Sequence, residues 1–415
     1  LHGCRRTCAG GRLQGRGRLT LIPSSDVMPA LFAPYDLRGV SLRNRIVISP
    51  LQEYAAGRDG VARPFHLVHL GRFALGGAGL VFTEALAVSE DARLTYSDLG
   101  IWTDAQIEPL ARIAEFLREQ GAAAGAQLIH AGRKASVQRP WHGYEPLSER
   151  DIEARDEAPW PVVGPSAESA LPGWPTPSAL NVDAIKRIVE NFAASTRRLR
   201  KADFDVLNVH GAHGYLVHSF LSPVSNVRTD EYGGDLQGRM RFALEVADAV
   251  RSEWPADRPI FYRLSCVDDL EGGWSMDDTI MLARKLKERG MDVIDASSRG
   301  LGRRGTPVVF PRAPGFQVPY AEQIRCEVDM PTCAVGLITE PDQANAIVEA
   351  GQADFVAIRR EALRNPNWPA QAAVELMGAQ AYESHWQPRW GWWLVRREAS
   401  LDAFRSASVQ ESSDG

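Results

Sequence analysis

His210, His213 and Tyr215 stand within one short stretch, and their types suit proton chemistry. Imidazole N–H groups aimed at one point can hold an oxygen on which negative charge develops. A phenol beside them can act as a general acid. The same histidines could ligate a metal, but no nearby carboxylate or cysteine completes a tight local set, so zinc is set aside. Two further polar residues, Gln127 and Arg263, interrupt runs that are otherwise apolar. Burying such a group without a partner costs about 1–3 kcal/mol, so each must meet something inside the fold.

The elements around these residues decide where they point. Short β-branched or apolar runs recur at residues 45–50, 79–85, 124–132, 205–210, 260–266, 292–298, 332–339 and 354–360. Helical periodicity fills the intervals at 104–120, 182–201, 237–254, 276–289, 341–350 and 360–376, with Ile185, Ile188, Val189 and Phe192 forming one stripe. Thr103 and Ser275 stand where caps belong, and Gly121, Gly290 and Gly351 each separate a helix from a strand. Eight βα units predict a single α/β domain, a closed (β/α)8 TIM barrel over residues 28–380, rather than an open sheet.

A barrel carries its chemistry on the loops at the C-terminal ends of its strands. His210, Gln127 and Arg263 all lie toward such ends. Two long loops stand out as binding loops or lids: residues 134–181, rich in Pro and Trp, and residues 299–314, which carry Arg299, Arg303, Arg304 and Arg312.

Bulk properties exclude several classes. A formal charge of -5 offers no basic face for nucleic acid, and no apolar run is long enough to span a bilayer. Five cysteines without a C-x2-C pair suggest neither a disulfide framework nor an iron–sulfur cluster, and a reducing cytoplasm fits best. The first 27 residues hold Arg5, Arg6, Arg12, Arg16 and Arg18 with Asp26 as the only acid. They are expected to be a disordered tail ahead of a true start near Met28. Gly300, Gly302 and Gly305 spell G-x-G-x-x-G, but the TPVVFPRAP that follows cannot open a helix, so no dinucleotide fold is implied.

Several blocks carry a resemblance. Residues 44–50 read NRIVISP, 83–85 TEA, 127–135 QLIHAGRKA and 210–234 HGAHGYLVHSFLSPVSNVRTDEYGG. Further on come RLS at 263–265, DASS at 295–298, AVGLIT at 334–339 and REALRNP at 360–366. Together they resemble the old yellow enzyme family of NADH:flavin oxidoreductases over residues 30–390. Arg139-Pro140-Trp141 and His385-Trp386 are most similar to the bacterial xenobiotic-reductase, thermophilic-like ene-reductase branch.

That resemblance implies non-covalent FMN, reduced by NADPH or NADH and reoxidised by an activated alkene such as an enal, enone, maleimide or nitroalkene. It implies that Ser49, Pro50, Leu51, Gln52, Ala85, Gln127, Arg263, Gly336, Arg359 and Arg360 surround the flavin. Arg263 and Gln127 would meet the ring, and Arg360 and the Gly336 region the phosphate. His210 and His213 would hold the substrate's electron-withdrawing group, and Tyr54 would line its pocket. Hydride from flavin N5 would reach the β-carbon, and Tyr215 would protonate the α-carbon. An arm over residues 381–415 would carry Trp386 and Arg389 to a neighbouring subunit in a homodimer or homotetramer, its end disordered.

The chain also departs from the family. Gln52 stands where this branch usually has cysteine, Arg359 where glycine is usual and Arg299 where a small residue is common, while Glu53 adds a negative charge. Either the phosphate site is rebuilt around arginines, or FMN is held weakly. The basic loop is either solvated or a receptor for an anionic substrate or the 2′-phosphate of NADPH. Two other readings stay open: an FMN barrel acting on another bond (a demethylase, aromatic-ring reductase or dehydrogenase), or a barrel that only binds a ligand.

Overall fold

The eight apolar runs become eight strands in a computed structural model that describes residues 28–301 and 313–413. They are β1 (Ile46–Ile48), β2 (Leu80–Ala87), β3 (Ala123–Ile129), β4 (Val206–Gly211), β5 (Ile260–Ser265), β6 (Val293–Ser297), β7 (Thr332–Ala334) and β8 (Phe355–Ile358). Every residue in them is buried, since one face lines the barrel and the other lies under helices. Each strand pairs in parallel with the next, and β8 pairs with β1, so the sheet closes on itself. This is the predicted (β/α)8 barrel.

Two apolar regions hold it together. Inside the barrel, Val47, Leu80, Phe82, Val206, Phe261, Val293 and Phe355 pack with Leu37 and Leu42. Those two leucines come from an antiparallel hairpin of Tyr35–Leu37 and Val40–Leu42 that precedes the first barrel strand. Gly125 belongs to this packing, because a side chain there would meet the Phe82 ring at 2.4 Å. Outside the barrel, amphipathic helices cover the strands; Ile185, Ile188, Phe192 and Leu199 form the buried face of Val182–Lys201. Asn181 caps that helix by accepting from the Ala184 N–H at 2.8 Å, and Ser275 caps Met276–Glu288. Gly121, Gly290 and Gly351 end helices with φ of 80°, 77° and 69°, as their positions required.

The differences from expectation have local causes. The single helix predicted over 360–376 is two, Arg360–Arg364 and Trp368–Met377, because Pro366 cannot continue the backbone ladder. The seventh strand stops at Ala334 because Gly336 (φ 115°) and Leu337 (φ 54°) turn the chain away. The long loop after β3 holds a helix, Glu149–Arg155, and a two-residue parallel pairing of Val163–Gly164 with Ser178–Ala179. Helices Pro64–Leu75 and Val318–Val328 complete the outer layer. The C-terminal arm is helical over Ala381–Ser384 and Pro388–Ser413. The arginine-rich tail over 1–27 and Arg303, Arg304 and Arg312 of the basic loop lie outside the described residues. No helix among the described residues is long and apolar enough to cross a membrane.

The Phe261 ring sits 5.6 Å from Phe82 and 5.9 Å from Phe355 across the barrel interior. Phe261→Ala should cost about 3–5 kcal/mol and lower the denaturation midpoint; a midpoint equal to that of the parent chain contradicts this packing.

Candidate active site

Strand register brings the predicted polar residues together. Asn208 pairs with Gln127 across β3 and β4, and Arg263 pairs with His210 on one side and Asp295 on the other. The result is a chain of contacts across the barrel. Gln127 Nε2 donates to Asn208 Oδ1 at 3.3 Å, and Asn208 Nδ2 donates to Asp295 Oδ2 at 3.4 Å. Arg263 Nε lies 3.5 Å from Asp295 Oδ2, and Arg263 Nη1 donates to Ser49 Oγ at 3.0 Å. Burial raises the Asp295 carboxyl and the Arg263 charge opposes that rise, so each ion depends on the other.

Above this floor opens a cavity of about 520 Å³, a size that suits a cofactor. Its walls include Ser49, Pro50, Leu51, Gln52, Tyr54, Ala85, Gln127, His210, His213, Tyr215, Arg263, Gly336, Arg359 and Arg360. All the site residues expected of the barrel therefore meet in one place. Trp386 and Arg389 do not. Trp386 Nε1 donates to Ala370 O at 3.0 Å, away from this cavity, and Arg389 is exposed.

Several donors in the cavity wall have no hydrogen-bond acceptor among the described residues. Gln52 Oε1 accepts from the Ala85 N–H at 2.8 Å, which fixes the amide and leaves its buried Nε2 without an acceptor. Arg263 Nε and Arg359 Nε and Nη1 are likewise buried without hydrogen-bond acceptors. Buried donors of this kind demand acceptors. A planar ring bordered by carbonyl and imine groups, carrying a phosphate on its tail, provides them, so these residues fit FMN. Gly336 adds a close backbone approach, since a side chain there would crowd Gln317 at 3.1 Å.

The upper wall is the His210–His213–Tyr215 cluster. The His210 ring stands edge-on to His213 at 5.1 Å and to Tyr215 at 4.9 Å. His210 Nδ1 accepts from the Ala212 N–H at 3.2 Å, and His213 Nε2 lies 2.7 Å from Ser297 Oγ. Burial, then the nearby Arg263 charge, holds both imidazoles well below their ordinary pKa of 6.5. Burial, then Tyr144 and Tyr54, raises the Tyr215 phenol well above 10.0, so it stays protonated. Lys134 sits 5.6 Å from the Tyr215 ring, and burial pushes its ammonium down to about 8.

Two departures from the family pattern prove to be partners. The Arg359 guanidinium forms an ion pair with Glu53, and its Nη2 lies 2.8 Å from His69 Nε2. His69 Nε2 is also 3.1 Å from Glu53 Oε1. Burial would raise the Glu53 carboxyl, yet the His69 hydrogen bond and the Arg359 charge hold it below its ordinary value. Glu53 thus neutralises the charge that Arg359 introduces. Arg299, with φ of 68°, pairs with Asp269. Arg360, exposed at the start of its helix, keeps its place on the cavity wall.

Asn208, Asp295 and Lys134 carried no site role in the reading of the sequence. Asn208 precedes His210 by two residues and so shares its inward face, a signal that strand alternation supplies. The reach of Lys134 to the His213 carbonyl spans 79 residues and has no local signature.

Comparison with known proteins agrees with the geometry. The chain matches the profile of the NADH:flavin oxidoreductase / NADH oxidase family over residues 30–378. It is 41% identical over 361 residues to an NADPH dehydrogenase of Halalkalibacterium halodurans, covering 86% of this chain and 98% of that one. It is 40% identical to the NADPH dehydrogenase of Bacillus subtilis, covering 86% of this chain and 99% of that one. Morphinone reductase in complex with tetrahydroNAD superposes with a TM-score of 0.68 at 29% identity, over 85% of this chain and 92% of that one. The cofactors are FMN and NAD(P)H, and the enzyme is an FMN-dependent NADPH oxidoreductase. The chain belongs to the NADH:flavin oxidoreductase / NADH oxidase family, the old yellow enzymes.

Proposed function

We propose that the chain reduces C=C bonds conjugated to an electron-withdrawing group, in enals, enones, maleimides and nitroalkenes, with NADPH or NADH as the electron source. The observation that carries this reading is the meeting of two imidazoles and a phenol on one cavity wall, the His210 ring 5.1 Å from His213 and 4.9 Å from Tyr215. FMN, when bound, supplies the hydride at N5 that goes to the β-carbon of the alkene.

The protein supplies the rest. His210 Nδ1 accepts a backbone N–H, so the ring proton lies on Nε2 and is free to donate to the substrate's oxygen. A Ser297 hydroxyl donating to His213 Nε2 leaves that ring's proton on Nδ1, a second donor. Two neutral donors stabilise a developing oxyanion without adding a charge that the buried cavity would have to accommodate. The proton then passes from Tyr215 Oη to the α-carbon. Tyr54 lines the substrate side, while Arg263 supplies the positive charge that favours an electron-rich ring below. Ser49, Pro50, Leu51, Gln52, Ala85 and Gln127, all on the cavity wall, would hold that ring, and Arg359, Arg360 and Gly336 its phosphate.

Trp386 and Arg389 act, in this reading, on the cavity of a second subunit. The exposed Trp392 and Trp393 on the same arm suit an interface within a homodimer or homotetramer. A cytoplasmic location fits the sparse cysteines.

Tyr215→Phe should slow reoxidation of the reduced enzyme by 2-cyclohexenone by about 10²–10⁴-fold, with reduction by NADPH changed far less. Stopped-flow traces that fall equally in both halves would sink the role of Tyr215. The pH dependence gives a second check. Because both imidazoles titrate far below 6.5, reoxidation at saturating enone should stay level as pH falls through that value. A loss of rate centred near 6.5 would mean that a histidine of ordinary pKa does the work.

A further inference from the structure

His218 is not among the residues that line the cavity, yet its side chain is fully buried one helical turn beyond Tyr215. We propose that His218, with Asp268 behind it, is a positioning residue that holds the His213–Gly214–Tyr215 turn in register with the cavity. The inference rests on the reading of that turn as the alkene-reducing centre.

The turn needs outside support. His213 and Gly214 are consecutive left-handed residues, with φ of 61° and 76°. For a residue with a side chain that conformation is strained. The peptide unit between them is gripped at both ends. Lys134 Nζ donates to the His213 carbonyl at 2.7 Å, and the Gly214 N–H donates to His218 Nδ1 at 2.8 Å. The plane of this peptide sets the directions of the His213 ring on one side and the Tyr215 phenol on the other. His218 therefore acts on both reacting groups through the backbone.

The grip works only for one tautomer. An Nδ1 that accepts carries no proton, so the ring proton sits on Nε2, which faces Asp268 Oδ1 at 2.9 Å. Burial would raise the Asp268 carboxyl, but His218 and Ser222 hold it below its ordinary value, so it is ionised. Its other oxygen accepts from Ser222 Oγ at 2.6 Å and the Trp274 N–H at 2.7 Å. An amide at position 268 cannot reproduce this. The Trp274 N–H is a fixed backbone donor, so the amide oxygen must face it and the NH2 must face His218 Nε2. His218 then takes its other tautomer, and its Nδ1–H opposes the Gly214 N–H.

The test uses the FMN-loaded enzyme and measures the two half-reactions separately. Asp268→Asn, nearly unchanged in shape, should slow reoxidation by 2-cyclohexenone by about tenfold or more at saturating enone. FMN content and the visible spectrum should remain those of the parent. Ser222→Ala removes a hydrogen bond to the same carboxylate without touching the tautomer, and should reoxidise at the parent rate. If Asp268→Asn does not accumulate as folded holoenzyme, two variants at position 218 decide. His218→Asn keeps an acceptor near the Nδ1 position and should stay within about threefold of the parent, whereas His218→Gln should lose about tenfold. Equal rates for that pair, or a parent-like Asp268→Asn beside a slow Tyr215→Phe, overturn the positioning role alone. A parent-like Tyr215→Phe overturns the reading of the turn, and this inference with it.

Discussion

A guanidinium inside a barrel of apolar strands is the constraint around which the site is organised. Arg263 sits on β5 with Phe261 and Tyr262 beside it in sequence, and its burial leaves it dependent on neighbours. An isolated buried charge is costly, so it must be paired and hydrogen-bonded. Asp295 and Ser49 meet part of that need, and the strand register determines that they can. Arg263 also lines the cavity wall. A cation so placed is both a structural demand for a ligand and an electrostatic bias toward an electron-rich one. Binding and redox chemistry here share one cause.

The same cation shapes the opposite wall. Its charge adds to burial in keeping His210 and His213 unprotonated, and an unprotonated imidazole has one donor and one acceptor instead of two donors. The Ala212 N–H takes one nitrogen of His210 and Ser297 Oγ one nitrogen of His213, which leaves the other nitrogen of each ring for a further partner. Tyr215, at the mouth of the next short helix, completes the arrangement. The departures at Glu53 and Arg359 fit this economy of charge, because they cancel each other at the margin of the cavity and leave Arg263 as the dominant charge over the floor.

How much of this could be read from the sequence depended on range. Strand and helix positions follow from local periodicity, and most were legible; helices Pro64–Leu75 and Val318–Val328 were not assigned, and errors came where Pro366 and the Gly336–Leu337 turn override it. Gln127 and Arg263 were conspicuous because polar side chains inside apolar runs require explanation. Their partners Asn208 and Asp295 were not, because each stands in a run that already carries other polar residues. The Glu53–Arg359 pair, 306 residues apart, was visible only as two separate oddities. Left-handed His213 could not be anticipated either, since the conformation is held by Lys134, Ser265 and His218 from three different elements. Trp386 and Arg389 show the limit from the other side: their types suggest a site, but one chain does not bring them to its own cavity.

The most direct measurement is an anaerobic titration of the holoenzyme after it has been bleached by one equivalent of NADPH. Addition of N-methylmaleimide should restore the yellow colour in proportion, one alkene per flavin, with N-methylsuccinimide as the product. Flavin that stays bleached through an excess of maleimide, and regains colour only when air is admitted, would contradict the role given to the two imidazoles and the phenol.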